Sequence, residues 1–287
     1  MNNEATAEEL SSFISAMKTY TPYDFSNYSE KSLSRRLAKL MFDHNITIDQ
    51  LLHKIKNDPA FVEKIVKDIT VNTSEMFRDP HVWMMFRKHI LPLFQDRPLT
   101  IWHAGCSAGQ EVYTVMIILH AHGLLDKATI YATDLNEDML ETARKGTYKY
   151  HFNQNYITNI EAVMKYNPVT GEKIDFDPSP YYHIDTFKDV IKINEEFCRK
   201  VIYRKHDLVK DGNIFNTAFD LIFCRNVIIY FNTSLQNRVF HLFYESLKPE
   251  GCLMLGLHET ILGPFAGNFN KKEMYFYFKK TAYDSYD

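Results

Sequence analysis

LTIWHAGCSAGQEVYT (99–114) is the stretch that decides how this chain folds. The short apolar run LTIWHA (99–104) breaks at Gly105 and Gly109, and a long helical stretch follows from Glu111 to His122. Strand, glycine turn and helix in that order open an α/β unit, and glycine at the turn lets backbone approach a ligand closely. Further along, ATIYATD (128–134) reads as a second strand, followed by a helix beginning near Asn136. VIYRKHD (201–207) and FDLIFCRN (219–226) read as two more strands. A helix from Ser234 to Leu247, with Leu235, Val239, Leu242 and Phe243 on one side, then leads into GCLMLGL (251–257). The aromatic alternation of MYFYFKK (274–280) closes the series as a strand. Strands alternating with helices predict a parallel α/β sheet.

Before residue 99 the character is different. All 10 glycines lie at Gly105 or later, and only five of the 10 prolines precede it. Few residues there suit a turn with positive φ, so the region should be helical. Leu10, Phe13, Ile14 and Met17 recur at i, i+3, i+4 and i+7, as do Ile48, Leu51, Leu52 and Ile55. TIDQ (47–50) fits a capping box, and Asp58-Pro59 fits an N-cap with proline at the first helical position, ahead of the apolar face Val62, Ile65, Val66 and Ile69. The expected organisation is a helical unit over 1–78 and an α/β unit over 79–287. Between the second and third strands, 148–200 is rich in tyrosine and asparagine and carries Pro168, Pro178 and Pro180. It exceeds the usual length of a loop in a compact domain and predicts a small inserted subdomain.

Bulk composition closes off several classes. With 45% apolar and 24% charged residues the chain has the balance of a globular protein. Lys+Arg 33 against Asp+Glu 36 gives a net charge of −3, which argues against general nucleic-acid affinity. The longest stretch free of Asp, Glu, Lys and Arg, Val112 to Leu125, is too short to span a bilayer, and MNNEATAEEL is acidic where a signal peptide would be basic. A cytoplasmic protein without membrane insertion is expected. Cys106, Cys198, Cys224 and Cys252 are scattered singly, and the histidines show no H-x-x-x-H, so neither a disulfide framework nor a metal site is expected. A monomer is the default expectation.

Glycines after the first strand, with an acid at the end of the second to accept from ribose hydroxyls, point to a nucleoside ligand. Here these are Gly105, Gly109 and Asp134. The spacing lacks G-x-G-x-x-G, and no G-K-[ST] follows, so a ligand without pyrophosphate fits better. S-adenosylmethionine is such a ligand. Each residue also has a plainer reading: glycine as turn chemistry, Glu111 as a first-turn acid favoured by the helix dipole, Arg78-Asp79-Pro80 as a helix start, and Tyr230 as a core aromatic. His103, beside the glycine loop, is the histidine that most invites mutation.

NTSEMFRDP (72–80), AGCSAGQEVYT (104–114), YATDLN (131–136), HDL (206–208) and FDLIFCRNVIIYF (219–231) together resemble the successive motifs of the CheR family, the chemoreceptor glutamate O-methyltransferases. The resemblance runs from about residue 10 to residue 280, with order and spacing kept. It implies a Rossmann-like class I S-adenosylmethionine-dependent methyltransferase domain, a small all-helical N-terminal domain and an inserted small β-subdomain. It also implies methyl transfer to glutamate carboxylates on the cytoplasmic helical domain of chemoreceptors, with S-adenosylhomocysteine as product.

By the same resemblance, Asn72, Ser74 and Arg78 contact the cofactor, with Ser74 standing where threonine is more usual. Glu111 binds its amino-acid end, near Gly105, and Asp134 its ribose. Asp207 and Leu208 flank the adenine, where asparagine-leucine is more common. Arg225 and Asn226 end the fourth strand beside the cofactor, and Tyr230 brings its hydroxyl near the methyl group. Arg78 and Tyr230 are the expected catalytic pair, Arg78 orienting the substrate carboxylate. On the helix Lys31 to Met41, Lys31, Arg35 and Lys39 form a basic face with Arg36 on its edge, which would dock an acidic helical partner. The alternative is a non-catalytic cofactor-binding scaffold of the same fold. A methyltransferase acting on nucleic-acid bases is disfavoured, since the (D/N)-P-P-Y signature is absent and the corresponding block reads RNVIIY.

Overall fold

The structure is a computed structural model that describes residues 4–70 and 74–281. Four helices open it: α1 (Ala7–Tyr20), α2 (Glu30–Asp43), α3 (Ile48–Asn57) and α4 (Pro59–Ile69). The starts of α3 and α4 are written in the sequence as expected. Thr47 and Gln50 form a reciprocal capping box on α3, and Asp58 accepts from the Phe61 N–H ahead of Pro59. The apolar faces close on one another in a separate core that includes Phe13, Met17, Leu33, Leu37, Leu51, Ile65 and Ile69. From Met76 onward the buried residues belong to the α/β core, so the packing changes hands between Ile69 and Met76.

A short helix, α5 (Pro80–Met85), runs on through a π-helical turn, Phe86–Ile90, and a 3-10 turn, Leu91–Phe94. Then the α/β unit follows in chain order: β1 (Leu99–Ala104), α6 (Gln110–Ala121), β2 (Ala128–Asp134), α7 (Glu137–Lys145), β3 (Thr147–Lys149) and α8 (Asn155–Met164). Next come β4 (Tyr182–Asp185), β5 (Val190–Ile193), α9 (Glu195–Arg199), β6 (Val201–Lys205), β7 (Phe219–Cys224), α10 (Thr233–Ser246), β8 (Leu247–Leu255), β9 (Phe269–Lys272) and β10 (Phe276–Lys279). The seven-stranded sheet has the order β6-β2-β1-β7-β8-β10-β9. Its first five strands are parallel, and β10 and β9 complete it antiparallel.

This is the Rossmann-like arrangement, with the reversal of strand order between β1 and β7. Ligands of open α/β sheets sit outside the carboxyl ends of the strands at that reversal. The residues that matter should therefore follow Ala104, Asp134, Lys205 and Cys224. β1 and β7 are buried nearly throughout, as strands covered on both faces must be.

The long insertion folds as a three-stranded antiparallel sheet, β3-β5-β4, with α8 against the main core. It also supports the glycine loop, since the Tyr148 hydroxyl donates to the Ala108 carbonyl at 2.7 Å. The helical unit is tied to the α/β unit near the same end of the sheet. Ser29 N–H donates to the Tyr230 carbonyl at 2.8 Å, and Tyr28 pairs with Phe231 as an isolated antiparallel bridge. Lys67 reaches Asp138, and the Tyr23 hydroxyl, held by Glu63, accepts from Lys205 at 3.1 Å. No helix among the described residues is long and apolar enough to cross a membrane.

Candidate active site

At the carboxyl ends of β1, β2, β6 and β7 lies a pocket enclosing about 990 Å³ of space, part of it open to solvent. The glycine loop forms its floor. Gly105 has φ +79°, and a Cβ there would sit 2.6 Å from Val227 Cγ2, so only glycine lets the loop pack against the turn after β7. Both Gly105 and Cys106 N–H groups donate to the Thr133 carbonyl at 2.8 Å, which brings the ends of β1 and β2 together.

Asp134 closes β2 and lines the pocket. Its two oxygens accept from the Ser107 N–H at 2.8 Å and the Asn136 N–H at 2.9 Å. Burial pushes this carboxyl above its ordinary range against the pull of those donors. With about four acceptor sites on its two oxygens, the carboxylate retains capacity for a ligand. After β6, Asp207 and Leu208 line the wall beyond it, the Asp207 carboxylate accepting from Val209 N–H at 2.8 Å. Burial likewise raises Asp207.

A buried charge network forms the opposite wall. His103, fully buried and stacked on Phe223 with ring centroids 4.7 Å apart, places Nδ1 3.0 Å from Glu111 Oε1. Arg225 points Nη1 at Glu111 Oε2 at 3.5 Å and Nη2 at Asp79 Oδ2 at 2.8 Å, with its guanidinium over the Trp83 ring. Burial alone would raise the Glu111 carboxyl, but the His103 hydrogen bond and the Arg225 guanidinium outweigh it and hold it below its ordinary value. Arg78 differs. It lines the pocket, and its guanidinium has no hydrogen-bond or ion-pair partner among the described residues, while its carbonyl accepts from Trp83 Nε1 and from Arg225. The plainer reading also holds in part, because Pro80 does start α5.

The expected sites thus converge, with three exceptions. Gly109 does not line the pocket and instead packs against Ala143. Ser74, Arg78, Gly105, Glu111, Asp134, Asp207, Leu208, Arg225, Asn226 and Tyr230 all line the one pocket. Asn72 lies outside the described residues. Arg36 does not share the face of Lys31, Arg35 and Lys39. It turns into the pocket with its guanidinium 4.2 Å from the Tyr230 ring centroid and donates to the Ile69 carbonyl. Lys31, Arg35 and Lys39 remain exposed, and two of them are occupied locally, Arg35 by Glu4 and Lys39 by Asp43. A one-residue step on a helix turns a side chain by about 100°, which separates Arg36 from Arg35.

The chain matches the family described as CheR methyltransferase, SAM binding domain, over residues 72–276, and the CheR all-alpha domain over residues 8–70. It belongs to the CheR methyltransferase family. Cher3 of Pseudomonas putida is 35% identical over 88% of this chain and 89% of its own length. A chemotaxis protein methyltransferase of Listeria monocytogenes is 28% identical over 93% of this chain and 95% of its own. Another, from Vibrio parahaemolyticus, is 31% identical over 69% and 68%. As a CheR enzyme the protein is an S-adenosylmethionine-dependent methyltransferase, and the pocket's donor set suits that cofactor. It offers the Asp134 carboxylate for hydroxyls, the apolar Leu208 and Val209 for a base, and charges of both signs for a zwitterionic amino acid.

Tyr28 and Glu259 escaped sequence reasoning, as did the pocket-facing position of Arg36. Tyr28 and Arg36 reach the pocket from the helical unit, and an amphipathic pattern gives no sign of which polar residue turns toward a neighbouring domain. Glu259 lies behind it. Its Oε2 accepts from Asn226 N–H and Gly256 N–H, both at 2.7 Å, and its Oε1 from Val227 N–H at 2.9 Å and Ile229 N–H at 3.3 Å. Burial raises the Glu259 carboxyl in spite of these donors.

Proposed function

We propose that this enzyme transfers the methyl group of S-adenosylmethionine to glutamate side chains on the cytoplasmic helical domain of chemoreceptors, in the cytoplasm. The observation that carries the reading is the pair of arginines, Arg78 and Arg36, that face the pocket without a carboxylate partner among the described residues. In a wall where Arg225 is already engaged by both Glu111 and Asp79, these are the positions at which an incoming carboxylate finds an uncommitted positive charge.

The cofactor supplies an electrophilic methyl group on a sulfonium. Asp134 would hold its ribose hydroxyls, Asp207 and Leu208 would flank its adenine, Glu111 would bind its amino-acid end near Gly105, and Ser74, Arg78, Arg225 and Asn226 would contact it, with Asn72 expected to do so from outside the described residues. A glutamate side chain has an ordinary pKa of about 4.3, so at neutral pH the nucleophile is already ionised and no general base is required. What remains for the protein is alignment and exclusion of water. Arg78 orients the carboxylate through charge-assisted hydrogen bonds, leaving one oxygen free to attack. Tyr230, its ring fixed under Arg36, directs its hydroxyl toward the transferred group. The exposed face of Lys31, Arg35 and Lys39 steers an acidic helix to the opening.

Incubation with methyl-labelled S-adenosylmethionine and the host's receptor cytoplasmic domains should give base-labile label released as methanol. Cofactor binding without transfer to any receptor would favour the scaffold reading.

A further inference from the structure

Behind the loop that carries Arg225, Asn226 and Tyr230 sits a carboxylate that no cation neutralises. Glu259 is buried, has no Lys, Arg or His within ion-pair distance among the described residues, and is saturated instead by four backbone N–H groups. Burying a charge is costly unless donors surround it, and an amide or hydroxyl would suffice to satisfy one or two N–H groups. Gathering four on one side chain needs the two oxygens of an anion. Three of the four belong to the turn after β7, and the fourth belongs to Gly256 at the end of β8.

A second observation points the same way. A Cβ on Gly256 would lie 2.7 Å from Glu259 Oε2 and 3.0 Å from Asn226 N, so the end of β8 is pressed against the turn as closely as backbone allows. On its other side the turn meets Gly105, where a Cβ would lie 2.6 Å from Val227 Cγ2. The turn is therefore held between the Glu259 cradle and the glycine loop of the pocket. Asn226 adopts φ +60°, a left-handed conformation that a non-glycine residue keeps only when its surroundings fix it.

We propose that Glu259 is a positioning residue whose carboxylate gathers the N–H groups of Asn226, Val227, Ile229 and Gly256 and so sets the cofactor-facing shape of the 225–230 turn. This rests on the reading of Arg225 and Asn226 as cofactor neighbours. It goes beyond that reading by assigning the turn's geometry to a residue that does not line the pocket. Glu259→Gln keeps the size of the side chain but replaces one acceptor oxygen by an NH₂ that faces N–H donors. The turn must then open on at least one side.

The test compares Glu259→Gln with wild type in the full chain, measuring S-adenosylhomocysteine affinity by calorimetry and amide exchange by mass spectrometry. The expected result is a loss of affinity of about tenfold or more, with faster exchange confined to peptides covering 226–229 and 256, and unchanged exchange at 128–134. Affinity within twofold of wild type, or exchange accelerated throughout the sheet, overturns the proposal, since a purely structural carboxylate would loosen the molecule generally. If Glu259→Gln does not fold, Glu259→Asp decides. It keeps the charge and shortens the arm, so it should lose affinity severalfold with the melting temperature nearly kept, and undiminished affinity overturns the proposal. Failure of wild type to bind S-adenosylhomocysteine would instead remove the reading of the pocket on which the proposal rests.

Discussion

Arg78 and Arg225 enter the same pocket from adjacent walls, and alanine at each should have opposite consequences. The Arg225 side chain is 2% exposed and contributes the 2.8 Å bond to Asp79, the 3.5 Å approach to Glu111 and the bond to the Arg78 carbonyl. Removing it leaves two carboxylates short of a cation, a change that typically costs about 3–5 kcal/mol in a buried pair. For a chain of this size that is a fall in melting temperature of roughly 5–8 °C. The Arg78 guanidinium has no protein partner among the described residues, so Arg78→Ala should stay within about 0.5 kcal/mol of wild-type stability. Its loss should appear in turnover instead. Two charge-assisted hydrogen bonds at about 1.5–3 kcal/mol each correspond to roughly 10²- to 10⁴-fold in kcat, while cofactor affinity changes less than about tenfold. Calorimetric melts and methyl-transfer assays on both variants distinguish the cases. If Arg78→Ala destabilises as much as Arg225→Ala, or lowers cofactor affinity as far as turnover, the assignment of Arg78 to the substrate carboxylate is wrong.

Asp134→Asn should lower S-adenosylhomocysteine affinity by about 10- to 100-fold, because an amide must turn an NH₂ toward the Ser107 or Asn136 N–H and also loses the charge offered to ribose hydroxyls; titration calorimetry reads this directly, and unchanged affinity would exclude the ribose role. Glu111 carries a pH signature. Its folded-state pKa lies below the ordinary glutamate value, so its stabilising contribution is present above that value and is lost as pH falls through the depressed one. Melts of wild type and Glu111→Gln should therefore differ near neutral pH and converge in acid as pH falls through the depressed value; a gap that is constant with pH would mean that the His103 and Arg225 contacts do not act through the ionised form.

Much of this architecture is legible in the chain because local rules and tertiary context agree. β1 and β2 run over Leu99–Ala104 and Ala128–Asp134 as their apolar runs and turn residues predict. The capping box at Thr47 and the Asp58-Pro59 start are local hydrogen-bond chemistry and need no partner from elsewhere. β9 has no such signal: in FNKK (269–272) only Phe269 is buried, and the strand exists because β10 lies beside it. Arg36 lies one step from a legible basic face, yet its direction depends on where the second domain sits. Glu259 is less legible still. Three of its four partners are backbone N–H groups about thirty residues earlier, and backbone donors leave no mark in a sequence.

The most direct measurement is peptide mass spectrometry of receptor cytoplasmic domains after incubation with S-adenosylmethionine and either wild-type enzyme or Arg78→Ala. Wild type should add single methyl groups to glutamate side chains, reversibly by base, and Arg78→Ala should add almost none while still binding cofactor. Methyl groups appearing on lysine or at chain termini, or equal labelling by both proteins, would contradict the account.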